Sequence, residues 1–241
     1  MNSDPPRLKD WNDDERVHQV HSFFDAITPK YDLINRLISL GMDSGWRRRA
    51  IAKLQDSTIL LDIATGTGDM VAEMHRQQPN CQAVGLDIVQ AMVKQASRKL
   101  DTKKVQNAAF IHGDALALPF EDDVFDAVTI AFGLRNIPDK QAALSEIHRV
   151  LQPGGRLVML ELSLNEKSFI GGVNRWYMRH VVPALGRLMS GSNIAYQYLT
   201  DSMEKMDSRS TILQLLEKQA FRQSSVTRLF PGVVLIVDAR K

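Results

Sequence analysis

Hydrophobic positions change period twice along the chain. Residues 1–15 are polar. From residue 17 to about 54, Val17, Val20, Phe23 and Phe24, and then Leu33, Leu37 and Ile38, recur at three- and four-residue spacing, a helical pattern punctuated by Pro29 and Gly41. A continuous apolar run at 58–63 then ends in Gly66 and Gly68, as a strand buried on both faces does when it runs into a tight loop. The pattern next alternates between helix (70–78, 89–100, 140–151) and strand (83–87, 109–112, 125–132, 156–163), with a turn at Pro153-Gly154-Gly155. Such alternation predicts a doubly wound parallel α/β sheet.

After residue 163 the alternation stops. Residues 164–200 carry two helix-like stretches broken by Gly171-Gly172, Pro183 and Gly186, and read as a helical lid inserted into the fold. A helix over 208–220 follows. Two strands, 224–230 and 233–237, are then joined by a turn too short for anything but an antiparallel pair. The expectation is one domain over 1–241: an N-terminal helical cap at 17–54, a seven-stranded, mostly parallel, Rossmann-like sheet, the lid, and a C-terminal antiparallel hairpin.

Ligands of such sheets bind at the carboxyl ends of the strands, near the switch in strand order. There the chain places Asp62-Ile63-Ala64-Thr65-Gly66-Thr67-Gly68-Asp69 after the first strand, Asp87 at the end of the second, and Gly113-Asp114-Ala115 after the third. Gly66 and Gly68 let the backbone approach a ligand. Asp87, about 20 residues on, suits a pair of ribose hydroxyls, and Asp114 an adenine amino group. Asp62 and the loop are left for a cationic amino-acid end. Carboxylates suit an amine and repel a pyrophosphate, and Val71 stands where a dinucleotide fingerprint wants its third glycine. The pattern points to S-adenosylmethionine, and to the methyltransferase variant of the fold, rather than to a nicotinamide cofactor.

Composition adds exclusions. The 241 residues are 44% hydrophobic and 24% charged, with net charge +2, which is not the balance of a dedicated nucleic-acid binder. Cys81 is the one cysteine, so no disulfide framework arises, which fits a reducing, cytoplasmic setting. No signal-like apolar segment opens the chain, and no apolar run reaches 18 residues. No His/Cys cluster has metal-ligand spacing, so no metal is expected.

Two further segments carry a family resemblance. Tyr31-Asp32-Leu33-Ile34-Asn35, Ser39 and Trp46 resemble one signature of the ubiquinone/menaquinone biosynthesis C-methyltransferases. Residues 149–156, Arg-Val-Leu-Gln-Pro-Gly-Gly-Arg, closing with Glu161-Leu162-Ser163, resemble the other. Ala117-Leu118-Pro119-Phe120 and Phe132-Gly133-Leu134-Arg135-Asn136 look typical of the same family, and the resemblance runs from about residue 17 to 237. It implies methyl transfer from S-adenosylmethionine to a ring carbon of a reduced polyprenyl quinone precursor, demethylmenaquinol first and a benzoquinol second. It also implies Thr67, Asp87, Asp114, Ala115 and Ala131 in the cofactor site. One departure is Asp43, where the family usually has histidine; another is Gln152, for lysine.

The chemistry needs alignment, a dry pocket and a route for a quinol proton. Candidates are Arg135 and Asn136 after the fourth strand, Tyr196 in the lid, and Asp43. Arg135 reads as a phenolate stabiliser or as half of a structural ion pair, and Asp43 as a base or as a helix-start residue. Tyr31 and Asn35, four apart on one helical face, either close over the cofactor or fix the cap. His148 is expected to face solvent. From 167 to 200 the lid holds no Asp or Glu, and mixes Arg175, Arg179 and Arg187 with Trp176 and aliphatic residues. That mixture suits a peripheral contact with an anionic membrane surface, or an amphipathic lid packed on the domain. Arg47, Arg48, Arg49 and Lys53 form a second basic patch, read as a solvated face, a membrane contact or an RNA contact. A homodimer is left open. Methylation of another small hydrophobic metabolite, RNA methylation, and a non-catalytic scaffold role are the competing readings.

Overall fold

The computed structural model describes residues 21–22, 24–163, 172, 176–181 and 209–241. Most of the segment expected to form a lid, Tyr196 with it, and residues 1–20 lie outside them. The helical cap comprises residues 24–27, a short 3-10 turn at Thr28–Lys30, α1 (Tyr31–Ile38) and α2 (Asp43–Ile51). The alternating part follows as β1 (Ile59–Ile63), α3 (Asp69–Gln77), β2 (Gln82–Asp87), α4 (Gln90–Thr102), β3 (Ala108–His112), β4 (Phe125–Ala131), α5 (Lys140–Val150) and β5 (Leu151–Leu162). Toward the C-terminus come α6 (Arg209–Lys218), β6 (Arg222–Leu229) and β7 (Val234–Arg240).

The sheet order is β3-β2-β1-β4-β5-β7-β6. Strands β1 to β5 pair in parallel, and β7 runs antiparallel between β5 and β6. The chain leaves β1 toward β2 on one side and returns from β3 to β4 on the other, so the strand order reverses between β1 and β4. Their carboxyl ends part there and open a crevice.

Strand periodicity explains the continuous apolar runs. Leu61, Ile63, Leu157, Met159, Leu235 and Val237 pack into one core, under α5 and α6. Their neighbours Leu60, Val158, Leu160, Val234 and Ile236 pack into the other, under α2, α3 and α4. A strand buried on both faces has no position for a solvent-facing polar residue.

Three local expectations change. Pro153-Gly154-Gly155 is not a turn before β5 but an irregularity inside it: pairing with β4 passes from Phe125↔Leu151 to Ala127↔Arg156. In α1 the buried residue is Ile34, while Leu33 and Leu37 are exposed. His148 is half-buried edge-on against Phe221, with ring centroids 5.2 Å apart, rather than solvent-facing. Burial lowers its pKa.

Gly85 and Gly45 give contrasting outcomes. A Cβ on Gly85 would lie 2.5 Å from Phe110 and 2.8 Å from Thr65 Oγ1. Gly85→Ala should cost about 1–3 kcal/mol, as overpacking does. At Gly45, within α2, nothing lies within 4 Å, so Gly45→Ala should stabilise by about 0.5–1 kcal/mol. Denaturant unfolding of both variants reads the difference.

Candidate active site

The crevice between β1 and β4 holds two adjoining cavities. The larger is lined at the ends of β2 and β3 by Asp87, Gly113, Asp114 and Ala115, and on the β4 side by Ala131, Phe132 and Asn136. The cap contributes His21, Phe24 and Tyr31 to its wall. The smaller cavity lies over the loop after β1, among Tyr31, Arg47, Asp62, Thr65, Thr67 and Asp69. Gly66, Ala64 and Ala131 belong to both.

Backbone strain marks the meeting point. Ala64 and Phe132, each the first residue after its strand, have φ of 51° and 58°. That region costs a residue with a Cβ about 1 kcal/mol or more. A Cβ on Gly133 would stand 2.5 Å from that of Ala64, so the two strand ends touch and glycine is required there. Gly68, at φ 81°, caps α3 from outside both cavities.

Asp62 is fully enclosed at this junction. One carboxylate oxygen accepts from Thr65 Oγ1 at 2.6 Å, the other from Thr129 Oγ1 on β4 at 2.7 Å. Burial nevertheless raises its pKa to about 7. Asp87 accepts from the backbone N–H of Gly66 at 2.8 Å and of Val89 at 2.9 Å. Burial raises its pKa as well, and those two donors partly offset the rise. Asp114 is exposed at the cavity mouth and accepts from the Leu116 N–H at 2.9 Å.

Tyr31 stands over the loop: its ring would be 3.5 Å from a Cβ on Gly66. Burial raises the phenol pKa, and a hydrogen bond with Asn35 works against the rise. Of the two readings of Tyr31 and Asn35, closure over the loop fits this placement. Asp32, one residue on, accepts a short hydrogen bond from Thr67 Oγ1 and pairs with Lys99 at 2.7 Å. Lys99 also contacts Asp69, so the cap is latched to the loop and to α4.

The proposed catalytic residues do not all converge. Asn136 lines the larger cavity. Arg135 is buried behind it, paired with Glu161 at 3.1 Å, and its Nε has no hydrogen-bond partner. Asp43 lies at the start of α2, where its carboxylate accepts from Ser39 Oγ at 3.0 Å and pairs with Arg47; it lines neither cavity. The basic patch is divided. Arg48 and Arg49 are exposed, Lys53 pairs with Asp238 at 3.1 Å, and Arg47 is 8% exposed and faces the smaller cavity. Arg47 was missed because three consecutive arginines read as one surface; a helix turns 100° per residue, so they cannot share a face.

These residues fit the amino-acid nucleoside expected of the site. Asp87 and Asp114 line the larger cavity and Asp62 the smaller one, so each carboxyl faces space a ligand can occupy. Fold and site together define a class I S-adenosylmethionine-dependent methyltransferase. The chain belongs to the ubiE/COQ5 methyltransferase family, which matches residues 10–241. It is 43% identical over 210 residues to a demethylmenaquinone methyltransferase of Deinococcus radiodurans, covering 86% of this chain and 87% of that one. Against a demethylmenaquinone methyltransferase of Thermus thermophilus the identity is 44% over 200 residues, covering 82% and 90%. A ubiquinone/menaquinone biosynthesis C-methyltransferase of Syntrophotalea carbinolica is 38% identical over 228 residues, covering 93% and 95%. Solved structures share the fold at low identity. A SAM-dependent methyltransferase from Aquifex aeolicus superposes with a TM-score of 0.63 at 17% identity, covering 87% of this chain and 97% of that one.

The Asp62 carboxyl keeps its proton in the fold up to about pH 7, whereas the unfolded chain releases it near pH 4. Between those values the unfolded state binds fewer protons, so this group's contribution to stability falls as pH rises, by a few kcal/mol in all. Asp62→Asn removes that slope. Its stability relative to the wild type should climb between pH 4 and 7 and level off above, in unfolding titrations without cofactor. Parallel profiles would contradict the raised pKa.

Proposed function

We propose that the protein transfers a methyl group to a ring carbon of a reduced polyprenyl quinone precursor, demethylmenaquinol in the first place. The observation that carries the reading is the match, at 43% and 44% identity over most of both chains, to relatives named demethylmenaquinone methyltransferase. The larger cavity supports it. Past the part assigned to the nucleoside, Ile137 and Pro138 give its β4 side an apolar wall suited to an aromatic ring, with Asn136 as a polar group beside them.

S-adenosylmethionine supplies an electrophilic methyl group when bound across the strand ends. Asp87 binds its ribose, Asp114 its base and Asp62 its ammonium, with Gly66, Thr67, Ala115 and Ala131 shaping the walls. Tyr31 and the cap exclude water, which strengthens every charge interaction inside. Asn136 hydrogen-bonds the ring oxygen and orients the ring for in-line approach. The Arg135 guanidinium, fixed by Glu161, places positive charge behind Asn136 and favours the phenolate that activates the ring carbon. The enzyme works at the cytoplasmic face of a membrane, where a polyprenyl substrate resides. No helix among the described residues is long and apolar enough to cross one.

Methyl transfer is tested with labelled S-adenosylmethionine and chemically reduced demethylmenaquinone. Label should enter the reduced ring, with little entering the oxidised quinone or RNA. Equal labelling of RNA, or none of any quinol, overturns the reading.

Arg135 has its own test. Arg135→Met leaves Glu161 buried and unpaired and should cost about 3–5 kcal/mol. Adding Glu161→Met removes the stranded charge and should restore most of that stability. The double variant should still turn over at least tenfold more slowly than the wild type. Full recovery of kcat would make the pair purely structural.

A further inference from the structure

Arg47 is the cation in the wall of the smaller cavity, and Asp62 faces it there. The Asp62 carboxyl, which an arriving ammonium would ionise, and the Arg47 cation line one space, yet each is held by other partners. Asp62 is bonded by Thr65 and Thr129, while Arg47 is held by Asp43 and, at 3.3 Å, by Asp69. Each terminal guanidinium nitrogen has one carboxylate contact and carries two N–H groups, so donors remain for a ligand. An anionic and a cationic group set apart across a small polar cavity are what a zwitterion needs, one for its ammonium and one for its carboxylate.

The cation is built in rather than incidental. Arg47 is 8% exposed, and burying a guanidinium is costly unless it is paired. Asp43 sits one helical turn earlier on α2 and is itself fixed by Ser39. Asp69 begins α3 and is shared with Lys99. The guanidinium is therefore held from two sides, by two elements that do not otherwise line the ribose or base region.

We propose that Arg47 binds the carboxylate at the amino-acid end of the cofactor, and that Asp43 is a positioning residue that aims the guanidinium into the cavity. The inference rests on S-adenosylmethionine lying with that end over the loop after β1. It gives Asp43 a role consistent with its place outside both cavities: a carboxylate beside Arg47 orients it, whereas the histidine expected from the family resemblance would do so less strongly.

The test is a comparison of two ligands by calorimetry on the full chain: S-adenosylhomocysteine and its decarboxylated analogue, which keeps the nucleoside, thioether and amine. The wild type should bind the acid about 10- to 100-fold more tightly, as a charge-assisted bidentate contact implies. Arg47→Met should bring the two affinities within about threefold of each other by weakening the acid alone. Arg47→Lys, which keeps the charge and is the milder change for folding, should lose part of the preference. Asp43→Asn should reduce the preference several-fold while leaving the analogue's affinity unchanged. Equal binding of both ligands by the wild type, or equal weakening of both by Arg47→Met, overturns the assignment. An unchanged preference in Asp43→Asn overturns the positioning role. Failure of both ligands to bind the wild type would instead overturn the placement of the cofactor itself.

Discussion

A carboxylate locked inside the junction of β1 and β4 governs the site. Asp62 receives one hydroxyl from its own loop and one from the neighbouring strand, so the point where the sheet reverses is also the point where the loop is tied down. The two strand ends can part only as far as Asp62, Ala64 and Gly133 allow. The loop, the left-handed backbone of Ala64 and Phe132, and the cover supplied by Tyr31 all follow from that closure. An enclosed carboxylate costs the fold stability on its own. The two hydroxyl donors, and a pKa raised to about 7, offset part of that cost.

The segments that mark the family serve partly as joints. Arg149 donates to the carbonyls of Phe120 and Leu118 and pairs with Glu146 and Asp122, which pins the loop before β4. Arg156 makes a two-point contact with Asp238, with both distances 2.7 Å, joining β5 to β7. Trp46 Nε1 donates to the Phe230 carbonyl at 3.0 Å, and its ring meets Phe132 edge-on. Arg149 and Arg156 brace the amino ends of β4 and β5, and Trp46 braces the carboxyl end of β4; of these residues only Phe132 lines a cavity. The family segments thus combine such joints with residues that line the larger cavity, Tyr31, Phe132, Gly133 and Asn136.

The cap joins this scaffold by charge as much as by packing. Asp32, Thr67, Lys99, Asp69, Arg47 and Asp43 run as a connected series from α1 through the loop to α2. Apolar contact is thinner there: Leu33, Leu37 and Leu40 are exposed on the outer side, as is Trp176, beside Tyr177, whose hydroxyl donates to the Ile38 carbonyl at 3.3 Å. A cover held by polar links over a cofactor can loosen and reseat more readily than one buried in a core, because its links exchange with water at modest net cost.

Period and punctuation along the chain determined the sheet, the hairpin and the three acidic strand ends. The reason is local: buried parallel strands need continuous apolar runs, and the short final turn permits only antiparallel pairing. Asp87 and Asp114 were legible because the ends of parallel strands all point to one edge. Depth and partner choice were not legible. That Arg47 turns inward while Arg48 and Arg49 stay in water, that Asp43 serves Arg47, and that Arg135 pairs with a glutamate 26 residues away depend on how α2 and β5 meet the sheet. Those are contacts between elements distant in sequence, and no periodicity records them. Tertiary packing alone decided which charges are buried, and burial is what gives a charge its chemistry.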